Sequence, residues 1–168
     1  GSHVDRTVGI VKAYSTCVGE GPFTAEWFGE EAEALRQAGA EYGAATGRPR
    51  RVGPIDLVAT RYGVQIQGAT EIALTKLDVL SYMKEIPVCV QYEIHGQKTD
   101  EFPFTAVVDE AKPVFTTMPG WGCDISGVRK WEDLPVEARN YVEYIEKAIG
   151  CRISYVSVGA ARDEYIQR

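Results

Sequence analysis

The chain has 168 residues, a formal net charge of −6 and an isoelectric point near 5.0. This length corresponds to one ordinary domain, and the acidic balance argues against nucleic acid as a partner. No apolar run approaches the ~20 residues that a membrane span needs, so we expect no membrane contact either. Residues 1–3, Gly-Ser-His, are typical of the remnant of a cleaved purification tag, and we expect the natural sequence to occupy residues 4–168.

Four cysteines, Cys17, Cys89, Cys123 and Cys151, lie far apart in the sequence. No pair has the short spacing of a zinc or redox motif. We therefore expect buried, reduced thiols in a cytoplasmic protein.

The first third of the chain predicts a strand followed by a helix. Residues 7–14 (TVGIVKAY) are apolar and rich in β-branched side chains, as in a strand. Thr24 is a candidate N-cap for a helix over residues 25–39, which Gly39 would end. The apolar face of this helix is expected to consist of Phe28, Ala32, Leu35 and Ala38.

The next segment predicts a second helix and a short strand. Pro54 suits the first turn of a helix over residues 54–68, with Asp56 near its positive end. Residues 71–75 (EIALT) are expected to form an apolar strand, which is followed at once by the tripeptide KLD.

The second half predicts a hairpin, a strand, a helix and a last strand. Residues 87–102 alternate, with Val88 and Tyr92 on one face and Cys89 and Gln91 on the other, and HGQK forms the turn. A further strand starts at residue 112, a helix runs between Pro135 and Gly150 with a regular apolar stripe, and residues 152–159 are the last strand. Alternating strands and helices with one inserted hairpin favour an α/β layer fold.

Residues suited to catalysis are scarce. Apart from the tag, His95 is the only histidine, and its place at a hairpin tip favours a solvated structural side chain. The chain has no Gly-x-Ser-x-Gly elbow, no cluster of metal-binding residues and no phosphate-binding Walker A loop. It therefore suggests a part of a larger enzyme or a binding module.

Two short turns after strands are candidates for nucleotide binding. Residues 75–78 (TKLD) follow a strand directly, where open α/β sheets present ligands, and the carboxylate of Asp78 could accept from the two N–H groups of guanine. A helix-capping Asp78 beside a solvated Lys76 is the alternative. Residues 157–160 (SVGA) are placed similarly, with an ordinary strand-ending turn as the alternative.

A basic loop at residues 42–53 (YGAATGRPRRVG) stands out in an acidic chain. Thr46 offers a hydroxyl, Arg48 and Arg50 can each bind a phosphate or carboxylate with two hydrogen bonds, and Pro49 stiffens the segment. We expect this loop to bind a small anion. A solvated basic loop is the alternative.

Taken together, these stretches resemble the adenylosuccinate synthetase family. The resemblance rests on long motifs in the right order: GIVKAYSTCVGEGPF, EYGAATGRPRRVGPIDLVATRYGVQ, LTKLDVL, LPVEARNYVEYIE and ISYVSVGAARDEYI. It covers nearly all of residues 7–168, but only the C-terminal portion of the family's chain. It implies part of a mostly parallel sheet with flanking helices and an inserted hairpin, from a P-loop-NTPase-like α/β enzyme.

The resemblance also implies an activity. The family joins IMP to L-aspartate with GTP and Mg²⁺, through a 6-phosphoryl-IMP intermediate, on the way to AMP. Its catalytic residues, phosphate loop and Mg²⁺ ligands belong to the N-terminal portion, so this chain is expected to hold no catalytic or metal-binding residue and to be inactive alone. The full-length family is expected to be a homodimer.

Site residues carry over by the same resemblance. IMP is expected to contact Val18 and Arg48. The aspartate loop is expected to comprise Ala44, Ala45, Thr46, Gly47, Arg48, Pro49 and Arg50. GTP is expected to contact Arg50, Lys76, Leu77, Asp78, Ser157, Val158 and Gly159.

Several positions depart from the family pattern. Ala45 stands where the family usually has Thr, and Cys17 where it often has Arg. Loss of a hydroxyl at Ala45 would cost about 1 kcal/mol of aspartate binding if that hydrogen bond is made in the family. A non-catalytic guanine-nucleotide-binding or assembly module remains the alternative function, whereas a GTPase-like switch is excluded by the missing phosphate loop.

Overall fold

The computed structural model describes residues 4–168, so the expected tag remnant lies outside the described residues. Within that range the chain forms three α-helices and nine strands. In chain order they are β1 (Val8–Lys12), β2 (Tyr14–Cys17), α1 (Gly29–Gly39), β3 (Arg51–Asp56), α2 (Leu57–Gln67), β4 (Glu71–Thr75), β5 (Glu85–Ile94), β6 (Gln97–Thr99), β7 (Lys112–Pro119), α3 (Val136–Ile149), β8 (Ile153–Ser157) and β9 (Tyr165–Gln167). Short 3₁₀ helices occupy Leu77–Tyr82, Thr105–Glu110 and Trp131–Asp133.

Two sheets organise these elements. The first has the strand order β1-β4-β8-β9, with β1, β4 and β8 parallel and β9 antiparallel at one edge. The second has the order β2-β3-β5-β6, and β5 also pairs with β7. It contains the predicted hairpin, which turns at His95 and Gly96. The α/β class predicted from the sequence is confirmed.

Helix α3 has the bounds and the apolar stripe that the sequence predicts. Its apolar stripe, which is buried throughout, consists of Ala138, Tyr141, Val142, Ile145 and Ile149. Gly150 ends the helix in the left-handed conformation. The hydroxyl of Tyr141 donates to the carbonyl of Ala13 over 2.6 Å, so α3 is tied to the junction between β1 and β2.

The first predicted helix starts later than the sequence suggests. Helix α1 begins at Gly29, which adopts a positive φ of 68°. Its N-cap residue is Phe28, so Thr24 does not cap this helix. Residues before Gly29 run against β3 instead, because the Trp27 N–H donates to the carbonyl of Val52 over 2.9 Å. Phe28 is therefore 76% exposed and outside the helix, and the buried face of α1 comprises Ala32, Leu35 and Gly39 rather than Ala38.

The second predicted helix also proves shorter, because its first residues form β3. Pro54 lies in that strand, opposite Tyr14 of β2, where its missing N–H does not prevent pairing. The N-cap of α2 is Asp56, whose carboxylate accepts from the Ala59 N–H over 3.0 Å. Asp56 was expected near the positive end of the helix, and it lies there.

Three smaller expectations need correction. The single strand predicted over residues 7–14 is two strands separated at Ala13, and β9 follows the segment expected to be the last strand. Strand β9 has only three residues, of which Ile166 alone is buried, so it is too short to be recognised from an alternating sequence pattern. All four cysteines are free, but Cys123 is exposed and Cys17 only half-buried.

Within residues 4–168 no helix has the length and apolar character required to cross a bilayer.

Candidate functional site

The predicted guanine-binding turns follow two neighbouring strands. Strands β4 and β8 are parallel, with Leu74 opposite Val156, so their carboxyl ends meet at one edge of the first sheet. The 3₁₀ helix that starts after Lys76 contacts β8. The sheet thus brings residues 76–78 and 157–159 together, as expected of ligand sites in open α/β sheets.

The turn after β4 presents a carboxylate and a tethered ammonium. Lys76 adopts a left-handed φ of 60°, and Leu77 is fully buried, so Leu77 can offer a ligand only its backbone. Burial raises the pKa of Asp78 and nearby Glu164 adds to the rise, while the charge of Lys76 opposes it. A partly desolvated carboxylate of this kind gains more from N–H donors than a fully hydrated one.

The alternative interpretation of this turn is wrong in both parts. No side chain caps the 3₁₀ helix, so Asp78 does not serve as its N-cap. Lys76 is not freely solvated either, because its Nζ donates to the carbonyl of Gly39 over 2.8 Å and to Oε1 of Glu41 over 2.9 Å.

The turn after β8 is held from within. The hydroxyl of Ser157 donates to the carbonyl of Gly159 over 2.9 Å, and the N–H of the buried Val158 donates to the carbonyl of Glu164 over 2.9 Å. A Cβ at Gly159 would clash with the carboxylate of Glu164, so a larger residue would displace that side chain. The turn therefore offers mainly backbone groups to a ligand.

The basic loop forms the tip of a small hairpin. The Arg50 N–H donates to the carbonyl of Glu41 over 2.9 Å, and the Gly43 N–H donates to the carbonyl of Arg48 over 2.8 Å. The tip, residues 44–47, is exposed, and it turns at Gly47 with a positive φ of 65°. The backbone is therefore ordered at its base and accessible at its tip.

The three arginines of this loop have different surroundings. Arg48 is exposed and forms no ion pair with any residue in the described part of the chain, so its guanidinium is available to a ligand. Arg50 uses one nitrogen for Oε2 of Glu41, over 2.7 Å. The sequence suggested no ligand for Arg51, and the structure gives the reason: Arg51 binds Glu26 with two nitrogens, over 2.8 and 2.7 Å.

Arg51 also supports the glycine-rich turn that carries Val18. One of its nitrogens donates to the carbonyls of Gly19 and Gly21 over 3.0 and 2.9 Å. The side chain of Val18 is 80% exposed at this turn. The turn at Val18 is therefore accessible and held in place by a residue of the basic loop.

A buried carboxylate, Glu41, was missed by the sequence analysis. It is fully buried, and it accepts from four donors: the Tyr14 hydroxyl at 2.5 Å, Lys76 at 2.9 Å, Arg50 at 2.7 Å and Lys12 at 3.2 Å. Burial favours the neutral acid, but these donors outweigh it and lower the pKa of Glu41 to about 2. The only signal in the sequence is an acidic residue directly before a glycine-flanked basic loop.

The described residues offer no cage for a divalent cation. Residues 4–168 contain no group of three or more His, Cys, Asp or Glu side chains placed to hold a metal ion. A cavity of about 390 Å³ lies between β1 and α2, but none of the predicted ligand residues lines it. The predicted site is instead an open surface at the edge of the first sheet.

Comparison with known proteins agrees with these motifs. The family model for adenylosuccinate synthetase matches residues 1–166. The chain is 52% identical to the adenylosuccinate synthetase of Bifidobacterium adolescentis over 165 residues, which are 98% of this chain and 39% of that protein. It is also 52% identical to that of Micrococcus luteus over 163 residues, which are 96% of this chain and 38% of that protein.

A solved structure gives the same result for the fold. The fully ligated adenylosuccinate synthetase from Plasmodium falciparum superimposes with a TM-score of 0.93 at 36% identity, covering all of this chain and 42% of that one. The chain therefore spans about two fifths of the length of the relatives it matches. It belongs to the adenylosuccinate synthetase family.

Proposed function

We propose that this chain is the guanine- and aspartate-binding portion of an enzyme that joins IMP to L-aspartate at the expense of GTP. The observation that carries the proposal is the meeting of the turns at Lys76–Asp78 and Ser157–Gly159 beside parallel strands β4 and β8. Asp78 accepts from the N–H groups of the guanine ring, and the stem of Lys76 covers a face of the base. The backbone of Val158 and Gly159 contacts its other edge.

The aspartate substrate binds at the exposed tip of the hairpin. Arg48 is uncommitted and holds a carboxylate through two charge-assisted hydrogen bonds. The Thr46 hydroxyl accepts from the Arg48 N–H over 3.3 Å, which leaves its hydrogen for the same carboxylate. Ala45 can make no such bond. The other members of the loop, Ala44, Gly47 and Pro49, contribute shape and backbone groups.

The remaining contacts concern IMP and the phosphates of GTP. The exposed turn at Val18 supplies a main-chain contact to IMP, which Arg48 also reaches. Arg50 keeps part of its guanidinium free of Glu41 and directs it to GTP. Mg²⁺ would neutralise phosphate charge when bound, and the family resemblance implies that its ligands lie in the N-terminal portion.

The chain acts with further sequence. Relatives are more than twice its length, so we propose that catalytic residues and the phosphate loop lie in an N-terminal portion and that the chain alone is inactive. The whole protein is a cytoplasmic homodimer in this proposal.

The test is the release of inorganic phosphate by the full-length protein that contains this chain. We expect release from GTP only when IMP, L-aspartate and Mg²⁺ are all present, with formation of adenylosuccinate in equal amount. Guanine-nucleotide binding without any turnover of the full-length protein would refute the proposal and favour a non-catalytic module.

A further inference from the structure

We propose that Glu41 is a positioning residue shared by the GTP and aspartate sites. It holds Arg50, at the base of the aspartate loop, and Lys76, at the guanine-binding turn, in their binding orientations. This inference rests on the proposed function, because it assumes that Arg50 and Lys76 serve GTP and that the hairpin with Arg50 at its base binds aspartate. Glu41 itself touches no substrate.

The two oxygens of Glu41 divide their partners between the two segments. Oε2 accepts from Arg50 over 2.7 Å, and Oε1 accepts from Lys76 over 2.9 Å. The side chain is fully buried, whereas Arg50 and Lys76 keep about a third of their side-chain surface exposed. Each cation is therefore anchored on its inner side and accessible on its outer side.

The charges explain why a carboxylate is needed at this place. Lys12, Lys76 and Arg50 all lie within 3.2 Å of one oxygen or the other of Glu41. Without the negative charge these three cations would repel one another and move apart. Arg50 and Lys76 would then lose their fixed positions, although each could still fold against its own segment.

The backbone connects Glu41 to the same two segments. Its carbonyl accepts from the Arg50 N–H over 2.9 Å, which closes the base of the hairpin that carries residues 44–47. Helix α1 ends at Gly39, shortly before Glu41, and Nζ of Lys76 donates to the carbonyl of Gly39. A shift of Glu41 would therefore disturb the loop and the guanine-binding turn together.

The experiment compares Glu41→Gln with the unaltered full-length enzyme. The amide keeps the shape but loses the charge, so we expect KM for GTP and KM for L-aspartate each to rise about tenfold, as for the loss of one charge-assisted hydrogen bond. KM for ITP should rise by the same factor as KM for GTP, because Asp78 still selects the base. Unchanged KM for either GTP or aspartate would overturn the proposal.

Glu146→Gln is the matched control. Glu146 also binds an arginine, Arg168, over 2.8 Å, but it accepts from the Ile153 N–H at the amino end of β8, opposite the site. The KM values of the Glu146→Gln variant for GTP and for L-aspartate should not change. A purely structural role for Glu41 would lower the active fraction and hence kcat, with both KM values intact, and that result would also overturn the proposal.

A conservative variant covers the case in which Glu41→Gln does not fold. Glu41→Asp keeps the charge but is one methylene shorter, so it cannot reach Arg50 and Lys76 together, and we expect smaller rises in the same two KM values. Normal KM values for Glu41→Asp would contradict the proposal. If the unaltered enzyme releases no phosphate with IMP and aspartate, the proposed function itself fails, which is a separate result.

Discussion

Replacement of Asp78 by alanine should abolish the preference for guanine. The carboxylate lies at the carboxyl end of β4, half-buried, and burial raises its pKa. In the proposed complex it accepts from the ring N–H and from the exocyclic amine of guanine. ITP lacks that amine, so the two nucleotides differ by one hydrogen bond to this side chain.

The expected magnitude follows from the strength of such bonds. A hydrogen bond to a charged group contributes about 1.5–3 kcal/mol, and the lower end applies because Asp78 is only half-buried. One bond of about 1.5 kcal/mol corresponds to a roughly tenfold preference for GTP over ITP. Asp78→Ala removes both bonds, so kcat/KM for GTP should fall roughly 100-fold while the GTP-to-ITP ratio falls to about one.

The assay measures phosphate release by the full-length enzyme at varied GTP or ITP, with IMP and aspartate saturating. Asp124→Ala is the control, since the exposed Asp124 acts on Asp78 only through its charge. That variant should change kcat/KM for GTP and for ITP by the same factor, so that the GTP-to-ITP ratio stays the same. An unaltered GTP-to-ITP ratio for Asp78→Ala would refute the role assigned to this carboxylate.

Two other substitutions test the aspartate loop and the core. Arg48→Leu should raise KM for aspartate roughly 100-fold by removing a bidentate contact, and an unaltered aspartate KM would refute that contact. Tyr141→Phe should lower the free energy of unfolding of the chain by about 1–3 kcal/mol in urea titration, because it leaves the buried carbonyl of Ala13 without its 2.6 Å donor. Tyr144→Phe is the control on the solvent side of α3, and an equal loss in both variants would contradict this account.

The parts of the fold that the sequence predicted well have local signals. Helix α3 has Pro135 before it, Gly150 after it and a regular apolar stripe, so its bounds needed no tertiary information. Strand β3 was mistaken for a helix start because Pro54 fits both, and only its pairing with β2 decides between them. Thr24 likewise had the chemistry of a cap, but the backbone of residues 25–27 packs against β3 instead.

The meeting of the two turns at the candidate site could be predicted for a different reason. Polar turns that follow parallel strands meet at one edge of a sheet, so Asp78 and Ser157 could be placed together without knowing any contact. The partner of Lys76 could not be predicted, since Glu41 lies 35 residues away and pairs with it only after α1 packs against the 3₁₀ helix that follows β4. The partners of Arg51 could not be predicted either, because the path of the glycine-rich turn brings the carbonyls of Gly19 and Gly21 to its guanidinium.

The most direct test of the account compares phosphate release from GTP by the isolated 168-residue chain and by the full-length protein that contains it. We predict release by the full-length protein that requires both IMP and L-aspartate, and none by the isolated chain. Turnover by the isolated chain would contradict the account, and so would release by the full-length protein that is independent of IMP and aspartate.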